Sequence, residues 1–321
     1  MMTSKIIGTG SYAPDQVVTN DDLANVVETN DEWIRSRTGI SQRRIALEEG
    51  TSHMAIEAGR KALEQSGMSA AELDIILVAT SSSDNCFPSC ACEVQAALGA
   101  VHAAAYDISA ACSGFIFALN TVQAFIQAGI YKTALVIGAD CLSKLTDWTD
   151  RGTCVLFGDA AGAAVIQASD TGMIHMVMGS DGVKGEVLTC AARTSGNFLN
   201  GKLPELGYMY MNGQEVFKFA VKKVPECTMQ VLNESGHTLE EVKYFVLHQA
   251  NYRILESVAK RLKQPMEKFP MNLDRYGNTS GATIPLLLDE LNREGKLQSG
   301  DKIVLSGFGA GLTWGAALLE W

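Results

Sequence analysis

The chain has 321 residues, 47% hydrophobic and 19% charged, the composition of a folded globular protein of one or two domains and not of a disordered one. A formal net charge of −10 excludes a nucleic-acid partner held on a broad basic face, and an acidic partner would need a local basic patch. No stretch approaches the ~20 uninterrupted apolar residues of a membrane span, and MMTSKIIGTGSY lacks the layout of a signal peptide, so a cytoplasmic protein with reduced cysteines is expected.

Strand-like and helix-like segments alternate along the chain, the pattern of an α/β fold. The first strand, SKIIGTGSY, carries a GTGSYA with the glycine spacing of a dinucleotide site. Pro14 and Asp15 follow it and the next helix starts near Asn20, so the strand–turn–helix that cradles phosphate is missing. Ser66–Thr80, SGMSAAELDIILVAT, ends a helix, turns at Gly67, offers Ser69 as N-cap and enters a buried strand at Ile75–Val78. Cys86, Cys90 and Cys92 come next, without paired CxxC units or histidines at ligand spacing, so no metal site is expected.

Asp107–Leu119, DISAACSGFIFAL, sets Cys112 at the foot of an apolar helix that ends near Gly129. Taken alone, a cysteine among apolar neighbours is an inert small hydrophobe. A helix start, however, lowers a thiol pKa and aims an N–H at an oxyanion, and Ala110, Ala111, Ser113 and Gly114 leave room for a substrate. The strands TALVIGAD and FGDAAGAAVIQ close this half.

The second half repeats the first in order. GMIHMVMGSD (Gly172–Asp181) answers the N-terminal strand, and Ser235–Gln249, SGHTLEEVKYFVLHQ, answers Ser66–Thr80, with Thr238 as the matching cap. TSG at Thr279–Gly281 answers CSG at Cys112–Gly114, and KIVLSGFG and GLTWGAALLEW answer the closing strands. Two similar halves, 1–171 and 172–321, are therefore expected. The glycine-rich Asp181–Gly213 reads as a mobile lid.

Ligands of α/β sheets gather beyond the carboxyl ends of strands, which selects three further positions. His248 ends an apolar strand abruptly within HQANYR, unlike the other four histidines. Asn278 sits in the turn RYGNTSGATIP, either as a simple cap or as a polar group facing Cys112. GFGAGLTWG is a tight turn, or a source of a backbone amide for a reacting oxygen.

AACSGF, LHQANYR, YGNTSGA and GFGAGLTWG, in this order and spacing, resemble the β-ketoacyl-acyl-carrier-protein synthase III family of thiolase-like condensing enzymes. The likeness runs from KIIGTGSY through NDEWIRSRTGI and TDRGT to the C-terminal strand. It implies a five-layered α-β-α-β-α thiolase fold of two pseudo-twofold halves. It also implies a Cys112–His248–Asn278 triad that condenses a short acyl-CoA with malonyl-carrier protein, and no metal or redox cofactor. The amides of Cys112 and Ala310 would form the oxyanion hole. An alanine at 310, where glycine is usual, would be strained if the position needs a positive φ.

The same resemblance implies that Trp33 and Arg151 flank the CoA adenine, Arg37 and Thr38 meet its phosphates, and Phe217 and Asn251 line the pantetheine tunnel. Leu142 and Phe157 would line the acyl pocket, closed by Phe87 from across a homodimer interface. Lys218, Gln249, Arg253, Lys260 and Arg261 would meet an acidic carrier protein, with Lys222 and Lys223 beside them. Rival readings are an acyltransferase of secondary metabolism that does not use malonyl-carrier protein, a papain-like hydrolase, and a non-catalytic scaffold. The duplication has no role in a papain-like hydrolase.

Overall fold

The structure, a computed structural model, describes residues 2–192, 194–203, 205 and 207–321. The principal elements are, in chain order, β1 (Thr3–Tyr12), α1 (Asp31–Thr38), α2 (Thr51–Ser66), β2 (Ile75–Ala79), α3 (Cys90–Leu98), β3 (Ala104–Ile108), α4 (Gly114–Gln127), β4 (Thr133–Asp140) and β5 (Ala160–Ser169). They continue with β6 (Met173–Ser180), α5 (Gly213–Ser235), β7 (Val242–Leu247), α6 (Tyr252–Leu262), α7 (Thr283–Arg293), β8 (Lys302–Gly309) and β9 (Thr313–Glu320).

The strands form two main sheets, of order β1-β5-β4-β2-β3 and β6-β9-β8-β7. The pairs β4–β2, β2–β3 and β8–β7 are parallel, and the pairs β1–β5, β5–β4, β6–β9 and β9–β8 are antiparallel. Position for position, the second sheet reproduces the first, lacking only a counterpart of β3. The first sheet draws every strand from residues before 171 and the second every strand from after 172. Helices α2 and α5 each end on a left-handed glycine, Gly67 at φ 71° and Gly236 at φ 74°. Ser69 caps the turn after Gly67 and forms a capping box with Glu72.

Alternation along the strands explains the layering. In β2, Ile75, Leu77 and Ala79 face a central core shared with α4, α7, Val246, Ile303 and Leu305. Ile76 and Val78 face the opposite way, onto Met54, Ala58 and Ala62 of α2. Phe245, Leu247, Val304 and Leu318 cover the outer side of the second sheet together with Phe219 and Val224 of α5. Helix pairs thus lie outside, between and outside two sheets, a thiolase-like five-layered α-β-α-β-α arrangement. Helices α4 and α7 are buried between the sheets because both sheets present apolar faces inward. Among the described residues no helix is long and apolar enough to cross a membrane.

One detail of the repeat differs from the sequence alignment of CSG with TSG. The tight turn before α4 is Ala111–Ser113 and the one before α7 is Ser280–Ala282. Each opens on a left-handed residue, Ala111 at φ 47° and Ser280 at φ 51°. Cys112 therefore corresponds to Gly281, two positions beyond the expected register, because backbone conformation and not residue identity aligns the two turns. At the halves' junction, Gly138 of β4 lies against the Gly281 carbonyl, and a Cβ there would collide with it.

Candidate active site

Cys112 is delivered by β3 and the turn Ala111–Ser113 to the start of α4. It is buried, and burial pushes its thiol up to about 12, with the Ser280 side chain pulling the other way. The sequence predicts a lowered thiol pKa, and the structure reverses that expectation in the free protein. A helix start contributes roughly 0.3–1 kcal/mol, less than one pH unit, and desolvation outweighs it.

The amide of Cys112 lies under the turn that joins β8 to β9. A Cβ at Gly309 would sit 2.7 Å from the Cys112 nitrogen and 3.2 Å from that of Ser113, so glycine keeps the space over these amides open. The turn is held by the Thr313 hydroxyl, which donates to the Ala310 carbonyl at 2.9 Å and accepts from the Ser113 hydroxyl at 2.8 Å. The left-handed residue of the turn is Gly311, at φ 133°, and Ala310 takes an ordinary negative φ. The strain expected at Ala310 is absent because its neighbour makes the bend.

His248 follows β7, its backbone N–H donating to the Ser306 carbonyl at 2.9 Å. Its ring meets Phe308 edge-on, with centroids 5.2 Å apart, and Nδ1 has no partner among the described residues. Burial pushes its pKa down to about 3, so the imidazole is neutral at pH 7. Asn278 is pinned by its main chain, which donates to the Leu156 carbonyl at 2.8 Å and accepts from the Gly158 amide at 3.1 Å. Its side-chain Oδ1 accepts from the Ser280 amide at 2.9 Å, which leaves the Nδ2 donors for a ligand.

A single cavity of about 1190 Å³ is lined by Cys112, His248, Asn278 and Ala310. Leu142, Phe157, Phe217, Asn251, Thr38, Arg37 and Trp33 also line it. Near the exposed Arg37, the Trp33 ring carries two guanidiniums, Arg37 at 4.6 Å and Arg151 at 4.8 Å from its centroid. Arg151 also donates to the Glu28 carbonyl at 3.0 Å. The Thr38 hydroxyl is buried and committed, donating to Ile34 O at 2.7 Å and accepting from Ile40 N. Asn251 is the N-cap of α6, bonded to Arg253 N at 2.8 Å and donating to Arg37 O at 3.1 Å.

Phe87 is 87% exposed and lies outside this chain's cavity, although Ser81–Cys86 just before it form part of the wall. Lys218 is exposed and paired with Glu215 at 2.8 Å. Arg253 donates to Ser36 O at 2.9 Å, close to Arg37, and Lys260 and Arg261 occupy the last turn of α6. Gln249 must be corrected: it is buried, with Nε2 bonded to Leu247 O at 2.8 Å, and cannot meet a partner at the surface. Its place beside a surface-seeming polar run hid the fact that residue 249, two positions past β7, is still buried.

The segment Asp181–Gly213 includes Arg193, Pro204 and Leu206, which lie outside the described residues. Its ends form a short antiparallel hairpin, Leu188–Cys190 with Met209–Met211, against the cavity. Cavity residues that the sequence did not single out include Ser280 and Lys144, the latter ion-paired to Asp84 at 2.7 Å, and behind the cavity wall lies the buried Asp140. A charged residue closing the otherwise apolar TALVIGAD was the signal for Asp140.

The chain matches the family described as 3-oxoacyl-[acyl-carrier-protein] synthase III over residues 106–182, and the C-terminal part of that family over residues 232–321. It is 52% identical over 326 residues to a β-ketoacyl-[acyl-carrier-protein] synthase III of Clostridium acetobutylicum, covering 100% of this chain and 99% of that one. A namesake from Synechococcus elongatus is 53% identical, covering 98% of this chain and 96% of the other. The crystal structure of 3-oxoacyl-[acyl-carrier-protein] synthase III from Aquifex aeolicus superposes with a TM-score of 0.93 at 46% identity, covering 99% of this chain and 100% of that one.

Proposed function

Because the chain belongs to the 3-oxoacyl-[acyl-carrier-protein] synthase III family, we propose that it condenses a short acyl-CoA with malonyl-carrier protein through Cys112, His248 and Asn278. The observation that carries this reading is that these three residues line one cavity reaching to Trp33 and Arg37. The cavity accommodates a long thin thioester whose reacting carbonyl rests over the Cys112 amide.

In the free protein a thiol faces a neutral imidazole, so the proton leaves sulfur as attack proceeds. Sγ bonds to the acyl carbonyl carbon, the carbon–sulfur bond to CoA breaks, and the thiol proton ends on the CoA sulfur. The amides of Cys112 and Ala310 hold the intermediate oxygen. In the second step the malonyl carbon–carboxylate bond breaks and carbon dioxide leaves. The electron pair moves toward the thioester oxygen, where a His248 ring N–H and Asn278 Nδ2 stabilise it. The new carbanion bonds to the acyl carbon, the carbon–Sγ bond breaks, and one proton from solvent restores the thiol. Neither a metal nor a redox cofactor enters this balance.

Adenine would enter by displacing the Arg151 guanidinium from Trp33, exchanging one cation–π contact for ring stacking. Lys218, Arg253, Lys260 and Arg261 supply the local basic face for a carrier protein. The uncovered edge of β3, with exposed Tyr106 and Phe87 nearby, favours a homodimer. The test is to incubate the protein and its Cys112→Ala variant with short acyl-CoAs, then add malonyl-carrier protein and follow carbon dioxide and ketoacyl product. Acylation of Cys112 followed by product supports the reading, and acylation without condensation sinks it.

A further inference from the structure

Asp140 ends the buried strand β4 and is itself 0% exposed. Burying a carboxylate costs several kcal/mol unless donors surround it, and here they do. One oxygen accepts from Ser81 N at 2.8 Å, Ser82 Oγ at 2.9 Å and Thr80 Oγ1 at 3.2 Å. The other accepts from Gly281 N at 3.0 Å, with the Ser280 side chain also in reach. The first group belongs to the loop that walls the cavity in the N-terminal half. The second is the turn directly after Asn278 in the C-terminal half. No other carboxylate among the described residues lines up these two pieces.

We propose that Asp140 is a positioning residue for the condensation step: by holding the Ser280–Gly281 turn, it fixes the Ser280 amide on Asn278 Oδ1 and so keeps Asn278 Nδ2 aimed into the cavity. The hydrogen bonds that build the other half of the site do not involve it. The Cys112 amide and the Ala310 turn are organised through Ser113 and Thr313. The Cys112 thiol meets the same turn through the Ser280 side chain, which lowers its pKa, whereas the Asp140 charge raises it; the two effects oppose each other when Asp140 is changed, so acylation shifts far less than condensation. The two half-reactions therefore separate when this residue is changed. The inference rests on the condensing activity proposed above.

In Asp140→Asn the oxygen facing three donors stays and the new NH2 group faces the Gly281 N–H, which repels the turn. A second, milder variant is Gly281→Ala, whose Cβ would lie 3.3 Å from Asp140 Oδ2 and 3.2 Å from the Ala79 carbonyl, prising the same contact without altering charge. Wild type and both variants are acylated with acyl-CoA, scored by intact mass, and the acyl-enzymes are then given malonyl-carrier protein. The expected result is acylation within about twofold of wild type and condensation at least tenfold slower in Asp140→Asn, with the same split, smaller, in Gly281→Ala. Equal loss of both steps, or loss of neither, in Gly281→Ala overturns the proposal even if Asp140→Asn does not fold. A wild type that acylates but never condenses instead overturns the function on which the proposal rests, and the proposal with it.

Discussion

Arg43 donates to the Val155 carbonyl at 2.8 Å, so a fully buried guanidinium supports the segment whose next carbonyl, Leu156 O, receives the Asn278 amide. Arg43 also bonds Asn20 Oδ1 at 2.9 Å and Val18 O at 3.2 Å, has no carboxylate in contact, and its Nε has no partner among the described residues. Burial holds its pKa down to about 10, still charged at neutral pH. Arg43→Ala leaves three acceptors unsatisfied around a new void, and is expected to cost about 3 kcal/mol or more. Urea unfolding monitored by circular dichroism measures it, and a loss under 1 kcal/mol contradicts the supporting role.

Gly309 should tolerate no side chain in catalysis, because an added Cβ meets the main chain of the Cys112 turn. Its added Cβ, 2.7 Å from the Cys112 amide, fills the place of a reacting oxygen. Gly309→Ala is expected to slow acylation of Cys112 roughly 100-fold or more, the scale of losing an oxyanion donor. Single-turnover acylation followed by mass spectrometry reads this directly, with thermal melting beside it as the check on folding.

His248 makes the protein acid-sensitive in a defined direction. Its pKa is near 3 when folded against 6.5 in the unfolded chain, so below pH 6.5 the unfolded state binds the extra proton. Stability from this residue is complete above pH 6.5 and falls as pH drops toward 3, by up to about 1.4 kcal/mol per unit. His248→Gln removes that slope. Denaturant titrations of both proteins at pH 7, 5.5 and 4.5 should show wild type losing ground to the variant, and parallel curves would refute the buried neutral imidazole.

The thiols should also sort by environment. Cys86 and Cys92 are exposed, whereas Cys112 is buried with its pKa pushed up to about 12. Iodoacetamide at pH 7.5, mapped by peptide mass, is expected to label Cys86 and Cys92 first. Labelling of Cys112 should rise steeply above pH 9 because only the thiolate reacts.

Much of the architecture was legible because it is written locally and twice. Apolar runs at Ile75–Val78 and Phe245–Leu247, left-handed glycines after α2 and α5, and matched closing strands are properties of short segments, and they determined two sheets of common strand order. The positions of Cys112, His248 and Asn278 at strand and helix ends were readable for the same reason. Tertiary structure decided what those residues experience. Burial by segments distant in the chain overrode the helix-start effect on Cys112, neutralised His248, hid Gln249 and moved the left-handed bend from Ala310 to Gly311. It also made Asp140 and Arg43 into internal supports of Asn278, since their partners come from residues 18–20, 80–82, 155 and 281. Desolvation and long-range hydrogen bonding depend on which segments meet, and no local pattern of residues carries that information.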